Sequence, residues 1–180
     1  MAFKAMFLDR DGIINVDAGY VYRVSDFIFL KGIFDLTREA ASKGYLIFVV
    51  TNQAGIGRGY YSEKDFQILT TWMIGRFASE GVDIKKVFFS PYHPVHGVGR
   101  YKKDDISRKP RPGMFLAAKS EFDIELSESI LLGDKMSDVK AGISAGVGTN
   151  IYLSNDVCDD NLELASYICI SSIDQAKHYL

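Results

Sequence analysis

Three short runs of uninterrupted apolar residues, Ala5-Met6-Phe7-Leu8, Leu46-Ile47-Phe48-Val49-Val50 and Ile130-Leu131-Leu132, each break off abruptly into polar residues. Runs this brief and this uniformly apolar suit strands covered on both faces, as in a parallel sheet with helices on either side. Segments with apolar residues at helical spacing lie between them, so the chain is predicted to consist of βα units around a doubly wound parallel sheet. One α/β domain spanning residues 1–180 is expected, of a length that can bury a substantial core.

The same patterning predicts strands over 5–8, 46–50, 86–90, 129–132, 149–153 and 167–170. Helices are predicted over 33–42, from 62 to about 80, and over 113–121, 137–145 and 173–179. Gly44 sits just past the first helix as a stop signal, and Ser62 with Asp65 three places on resembles a capping box. Pro112 suits the first helical position of the segment behind it. Residues 10–30 read as a loop or flap with short strand pieces, and residues 53–61 as a glycine-rich connection. Residues 91–112 form a long polar loop holding all four prolines and two of the three histidines. Loops of this length inside compact domains are usually functional or held down by something.

Composition narrows the function classes. A chain 47% hydrophobic and 24% charged is an ordinary globular one rather than a disordered one. A net charge of −2 provides no basic stripe of the kind nucleic-acid binding requires, so no nucleic-acid partner is expected. No apolar run reaches the roughly 18 residues of a membrane span, and the N-terminus has no secretory pattern. No membrane partner and a cytoplasmic location are therefore expected, with a monomer or weak homo-oligomer as the assembly. Cys158 and Cys169 stand apart from any C-x-x-C pair and read as free thiols in a reducing compartment.

In an open parallel sheet, ligands sit beyond the carboxyl ends of the strands. Asp9-Arg10-Asp11-Gly12 follows the first apolar run, Thr51-Asn52 the second, and Gly133-Asp134-Lys135 the third, with the basic pair Arg108-Lys109 in the long loop. Each pattern alone is commonplace: Asp-x-Asp and Gly-Asp are turn sequences, and Thr-Asn often caps a helix. Together they supply what phosphoryl transfer demands, namely a nucleophile, a proton donor and charge neutralisation. Asp9 is the candidate nucleophile and Asp11 the candidate general acid and base. Asp9 and Asp134 with the backbone carbonyl of Asp11 could hold Mg²⁺, a cation that prefers oxygen ligands. Thr51 offers a hydroxyl, Asn52 an amide and Lys109 a compact positive charge to the phosphoryl oxygens.

With those residues in place, the chain resembles the haloacid dehalogenase superfamily of phosphatases, over nearly its whole length. Within that superfamily it is similar to the heptose-bisphosphate phosphatases, through Phe7-Leu8-Asp9-Arg10-Asp11-Gly12, Asn15-Val16-Asp17, Gly19-Tyr20-Val21, Val50-Thr51-Asn52-Gln53, Arg108-Lys109-Pro110 and Pro112-Gly113-Met114. The resemblance implies a Mg²⁺-dependent phosphatase working through an aspartyl-phosphate and removing the 7-phosphate of a heptose 1,7-bisphosphate. That reaction serves nucleotide-activated heptose synthesis for a bacterial surface polysaccharide. Asp9, Asp11 and Asp134 would hold the metal, and Thr51 and Lys109 would steady the phosphoryl group. Arg108 would recognise the small sugar-phosphate substrate, with Lys135 beside the metal. Residues Asp17, Ala18, Gly19 and Tyr20, and the stretch from Thr51 through Asn52 and Gln53 to Ala54, would line the sugar-phosphate site. A large cap is not expected, so loops would shape an open site.

Many members of that family carry a structural zinc in the loop before Arg108-Lys109, held by cysteines and a histidine. The matching positions here are Ser90, Tyr92, Asp105 and Ser107, none of them a thiolate or imidazole. His93 and His96 with Asp104 or Asp105 form the alternative ligand set, but zinc is not expected. Packing of Tyr92, Val95 and Tyr101 is expected to hold the loop instead. The glycines Gly55, Gly57 and Gly59 fall one place short of a dinucleotide fingerprint and more simply let a loop pass close to the sugar. Arg58 among them is placed near a second phosphate. Histidinol-phosphate phosphatase is the rival activity, another small sugar-phosphate phosphatase a further one. The non-enzyme alternative is a phosphate-binding protein that has lost turnover.

Overall fold

The computed structural model describes residues 2–154 and 166–180. Six strands form one parallel sheet in the order β3-β2-β1-β4-β5-β6, where β1 is Ala5–Leu8, β2 Leu46–Asn52, β3 Ile84–Ser90, β4 Ile130–Gly133, β5 Thr149–Leu153 and β6 Ile168–Ile170. From β1 the chain winds outward through β2 and β3, then returns to β1's other edge and winds outward through β4, β5 and β6. This is a doubly wound order, and its reversal brings the carboxyl ends of β1, β2 and β4 side by side.

The pleat of β1 explains why all four of its residues are apolar. Met6 and Leu8 face one core, with α1 (Ile33–Ser42) and the C-terminal turn residues Ile173 and Ala176. Ala5 and Phe7 face the other, against Met114, Phe115 and Ala118 of α4 (Gly113–Phe122). Phe7 stacks on Phe48 at 5.6 Å and meets Phe115 edge-on at 5.0 Å. Two-sided burial of this kind contributes about 1.5–3 kcal/mol per large side chain and fixes where each strand ends.

The remaining helices are α2 (Ala54–Gly57), α3 (Glu63–Ser79) and α5 (Met136–Ala145). The capping box at Ser62 and Asp65 forms as predicted, with each backbone N–H bonded to the other's side chain. Several boundaries differ from the sequence reading. β2 runs on through Thr51 and Asn52 because β3 continues alongside and pairs with them. Pro112 caps α4 rather than beginning it. Residues 173–179 wind as a 3-10 helix, in keeping with buried side chains three apart at Ile173 and Ala176.

The connection after β2 holds the short helix α2, not a plain loop. Gly55 is required there, because a Cβ would lie 2.2 Å from the Tyr61 ring and 2.9 Å from that of Tyr20. Cys169 also departs from expectation. It is disulfide-bonded rather than a free thiol, and Cys158 lies outside the described residues.

The long loop over 91–112 is tied down by polar contacts as well as packing. Tyr92 and Tyr101 have ring centroids 6.3 Å apart, and the Tyr101 hydroxyl donates to Glu63 at 2.5 Å. Val98 N–H donates to Gly57 O at 2.8 Å. Val95 contributes no packing, being 65% exposed on a turn whose amides point at His93 Nδ1. Ser107 Oγ lies 2.7 Å from Asp105 Oδ1 and 3.1 Å from Ser90 Oγ. Lys103 and the Ser107 groups hold the Asp105 carboxyl down to about 2. Among the described residues, no helix is long and apolar enough to cross a membrane.

Candidate active site

Asp9 leaves the end of β1 with its N–H bonded to Leu132 O of β4 at 3.0 Å, so its side chain projects at the reversal point of the sheet. Lys109 meets it there. Its ammonium lies 2.8 Å from Asp9 Oδ1, 2.7 Å from Asp138 Oδ1 and 2.7 Å from Val50 O. Both Asp9 and Lys109 are almost wholly buried. Lys109 belongs to the long loop, and Asn52 at the tip of β2 is what secures it. The Asn52 amide donates to Lys109 O and accepts from Lys109 N, each at 3.0 Å.

The third strand end supplies two acids. Asp134 follows β4, and Asp138 sits one helical turn on, in the first turn of α5, where its Oδ2 accepts from Lys135 N at 3.0 Å. Carboxylate oxygens of Asp9, Asp134 and Asp138 all lie within 4.8 Å of one another. Gly12 makes room for them: its φ of +96° and a Cβ position 2.0 Å from Asp134 Oδ2 admit no side chain.

Three acids gather here around the buried Lys109 ammonium, with Lys135 Nζ 3.9 Å from Asp134 Oδ2. Burial works against the charge on Lys109, but Asp9 and Asp138 outweigh it and hold its pKa above the ordinary lysine value. Burial raises Asp9, with Lys109 pulling the other way. Asp134 is pushed up to about 7 by burial and by the charge of Asp9. Its Oδ1 is buried and has no hydrogen-bond partner. An oxygen-only donor set with surplus negative charge and an unpartnered buried oxygen fits a hard divalent cation such as Mg²⁺.

A cation bound there needs Asp134 deprotonated, so its affinity depends on pH with a definite sign. Below about 7 the proton must leave before the metal enters, and affinity is expected to rise about tenfold per pH unit, levelling off above that point. Calorimetric titrations with Mg²⁺ at pH 6 and 8, in buffers of different ionisation enthalpy, check this. They should show proton release at pH 6 and little at pH 8.

Asp11 is held by its neighbours. Arg10, fully buried, places Nη2 2.8 and 2.9 Å from the two Asp11 oxygens and 2.6 Å from Val21 O. Asn15 Nδ2 donates to Asp11 Oδ1 at 3.0 Å, and Gln53 Nε2 to Oδ2 at 3.2 Å. Further out, Lys135 Nζ sits 2.9 Å from Asp17 Oδ2, and despite burial this contact holds the Asp17 pKa below its usual range.

Two adjoining spaces result. An inner cavity of about 40 Å³ is lined by Asp9, Asp11, Thr51, Lys109 and Asp138, among others. It shares Asp11, Lys109 and Lys135 with a neighbouring cleft of about 500 Å³ whose walls also include Asp17, Gly19, Tyr20, Gln53, Ala54 and Arg108. Asn52 lines both, although its amide is engaged with the Lys109 main chain. Ala18 is exposed and lies outside the cleft lining. Arg58 stands behind Tyr20, its guanidinium 5.9 Å from that ring, and repels Arg108. Asp138, Tyr61, Arg10 and Ser137 were not picked out from the sequence. Asp138 was detectable, since Gly133-Asp134 followed by a second acid four places on puts two carboxylates on adjoining turns at a helix start.

With this geometry in hand, the relatives of the chain can be named. A family model described as HAD-hydrolase-like matches residues 106–174. The D-glycero-alpha-D-manno-heptose-1,7-bisphosphate 7-phosphatase of Burkholderia mallei is 57% identical over 88% of this chain and 82% of its own. The D-glycero-beta-D-manno-heptose-1,7-bisphosphate 7-phosphatase of Vibrio cholerae is 44% identical over 100% of this chain and 97% of its own. Among solved structures, a HAD-like phosphatase from Mesorhizobium loti superposes with a TM-score of 0.82 at 32% identity, covering 89% of this chain and 77% of that one. The heptose bisphosphate phosphatase of B. bronchiseptica, crystallised with magnesium and phosphate, shares the fold at a TM-score of 0.82 and 20% identity, covering 98% of this chain and 97% of that one. The chain belongs to the family of the D-glycero-D-manno-heptose-1,7-bisphosphate 7-phosphatases, within the HAD-like hydrolases.

Proposed function

We propose that this protein hydrolyses the 7-phosphate of D-glycero-D-manno-heptose 1,7-bisphosphate, leaving the 1-phosphate in place, with magnesium as cofactor. The observation that carries the reading is the buried Lys109 shared by Asp9 and Asp138 at the mouth of the sheet, with Asp134 beside them. Asp9 is the nucleophile. Its carboxylate oxygen bonds to phosphorus as the bond from phosphorus to the 7-oxygen breaks. The electron pair leaves with the sugar oxygen, which takes a proton from Asp11. In the second half Asp11 accepts a proton from water, the water oxygen bonds to phosphorus, and the bond to Asp9 breaks with its electrons returning to the carboxylate. Lys109 and the Thr51 hydroxyl neutralise and orient the phosphoryl oxygens throughout. Asp9, Asp134 and the Asp11 carbonyl would hold magnesium, which supplies the positive charge that lets a carboxylate approach a phosphate.

The outer cleft suits the rest of a bisphosphate. Burial lowers the pKa of Arg108, which lines the cleft, and repulsion from the nearby Arg58 lowers it further, against a smaller pull from Tyr20. A second phosphate would relieve that repulsion. The 57% identity to a relative named for the alpha substrate favours the α anomer. Nucleotide-activated heptose synthesis in the cytoplasm is the corresponding pathway.

Phosphate release from both heptose bisphosphate anomers and from histidinol phosphate, with and without magnesium, tests the reading. The α-bisphosphate should be fastest, histidinol phosphate slower by about a hundredfold or more, and chelation should remove activity on all. Phosphorus NMR should show the 1-phosphate surviving in the product. A faster rate on histidinol phosphate would transfer the assignment to that substrate. Asp11→Asn should lower the rate by roughly 10²–10⁴ while magnesium affinity is kept, because the ligand there is a main-chain carbonyl.

A further inference from the structure

A short run of hydrogen bonds joins Asp11 to Gln53 and Tyr61, which line the outer cleft as well. Gln53 is buried, and its amide is committed at both ends. Nε2 donates to Thr51 Oγ1 at 2.8 Å and to Asp11 Oδ2 at 3.2 Å, while Oε1 accepts from the Tyr61 hydroxyl at 2.5 Å. Tyr61 cannot wander. Its ring stacks on Tyr22 at 5.0 Å with planes 7° apart, and Gly55 packs so close to it that a Cβ there would clash with the ring. A phenol proton pointing at the amide demands an acceptor, which forces the carbonyl end of Gln53 toward Tyr61 and the N–H₂ end toward the site.

We propose that Tyr61 is a positioning residue, which locks the Gln53 amide so that it aims the Asp11 carboxyl at the leaving oxygen and turns the Thr51 hydroxyl proton toward the phosphoryl group. Without the phenol hydroxyl the carbonyl end of the amide loses its donor, and only the Asp11 and Thr51 oxygens at the N–H₂ end still orient it. Thr51 already accepts from Gln53, so its own hydrogen is left for the inner cavity that it lines. Arg10 holds both Asp11 oxygens and Asn15 holds Oδ1, and Gln53 adds a further donor at Oδ2 that contributes to the tilt of the carboxyl. This inference rests on Asp11 being the general acid.

Leaving-group dependence is the readout, because a general acid matters for an alkoxide and little for an aryloxide that departs unprotonated. Values of kcat/KM with magnesium supplied are compared for the sugar bisphosphate and for p-nitrophenyl phosphate, in the unaltered protein, Asp11→Asn, Tyr61→Phe and Gln53→Met. For Tyr61→Phe a fall of about tenfold on the sugar substrate is expected, as for one misdirected hydrogen bond at the reacting centre. The aryl substrate should lose about threefold or less, through Thr51 alone, and KM for the sugar should hardly move. Gln53→Met should show the same selectivity with a larger loss, and both variants should keep the thermal midpoint within a few degrees. Equal losses on the two substrates, or no loss, in Tyr61→Phe while Asp11→Asn remains selective would overturn the positioning role alone. An Asp11→Asn variant equally impaired on both substrates would overturn the acid assignment, and this inference with it.

Discussion

Asp9→Asn should lower phosphate release by on the order of 10⁴-fold or more while leaving the fold in place. The substitution removes the charge of the oxygen proposed to attack, and of the two other carboxylates lining the inner cavity Asp138 is engaged by Lys109 and the Lys135 main chain. Asp11 is the other, and Arg10 and Asn15 hold its oxygens. Stability should be nearly kept. The side-chain oxygen can still accept from Lys109, whose ammonium also has Asp138 and Val50 O. Magnesium affinity should drop, since one of three clustered acids becomes neutral. Steady-state phosphate release and crystals soaked with beryllofluoride check both halves: the unaltered protein should carry the adduct on Asp9, and the variant none. Unchanged turnover would point to a different nucleophile.

Lys109→Met should be the most destabilising single change in the site. Lys109 is 2% exposed, so water cannot take over its role when the ammonium is removed. Asp9 and Asp138 would be left as buried acids without their shared counter-ion, a loss of about 3–5 kcal/mol in unfolding free energy. The penalty has a pH sign. Asp134 already titrates near 7 with the ammonium present, so acidification below that point neutralises part of the cluster and should shrink the difference from the unaltered protein. Saturating magnesium should shrink it too, by restoring positive charge among the same oxygens. Denaturant titrations at pH 6 and 8, with and without magnesium, measure all four values. A difference from the unaltered protein that is the same at both pH values would mean that the acids do not depend on this lysine.

Strand positions in the centre of the sheet were legible because Ala5–Leu8 and Ile130–Leu132 are covered on both faces and carry no polar residue to blur the pattern. The end of β2 was not, since Thr51 and Asn52 look like a turn until β3 is known to run beside them. Catalytic candidates directly behind strands could be found for the same reason that the strands could. Asp138 escaped notice because an acid in a first helical turn already has an ordinary explanation as a cap, and it does serve as one for Lys135. Tyr61 and Gln53 were harder still. Their importance lies in which end of an amide faces which neighbour, and residue types at a spacing do not record that. The disulfide at Cys169 was misread through reliance on local spacing.

Asn52 pairs with Lys109 as one strand pairs with the next, its side-chain amide standing in for a main-chain peptide. That splice, with the ammonium's bond to Val50 O, couples the lysine to the end of β2, whatever path the intervening chain takes. The segment between β3 and Lys109 is therefore released from any duty to aim the cation. Evolution could rewrite it, with or without a metal knuckle, to suit new sugars while the dephosphorylating end stays in register.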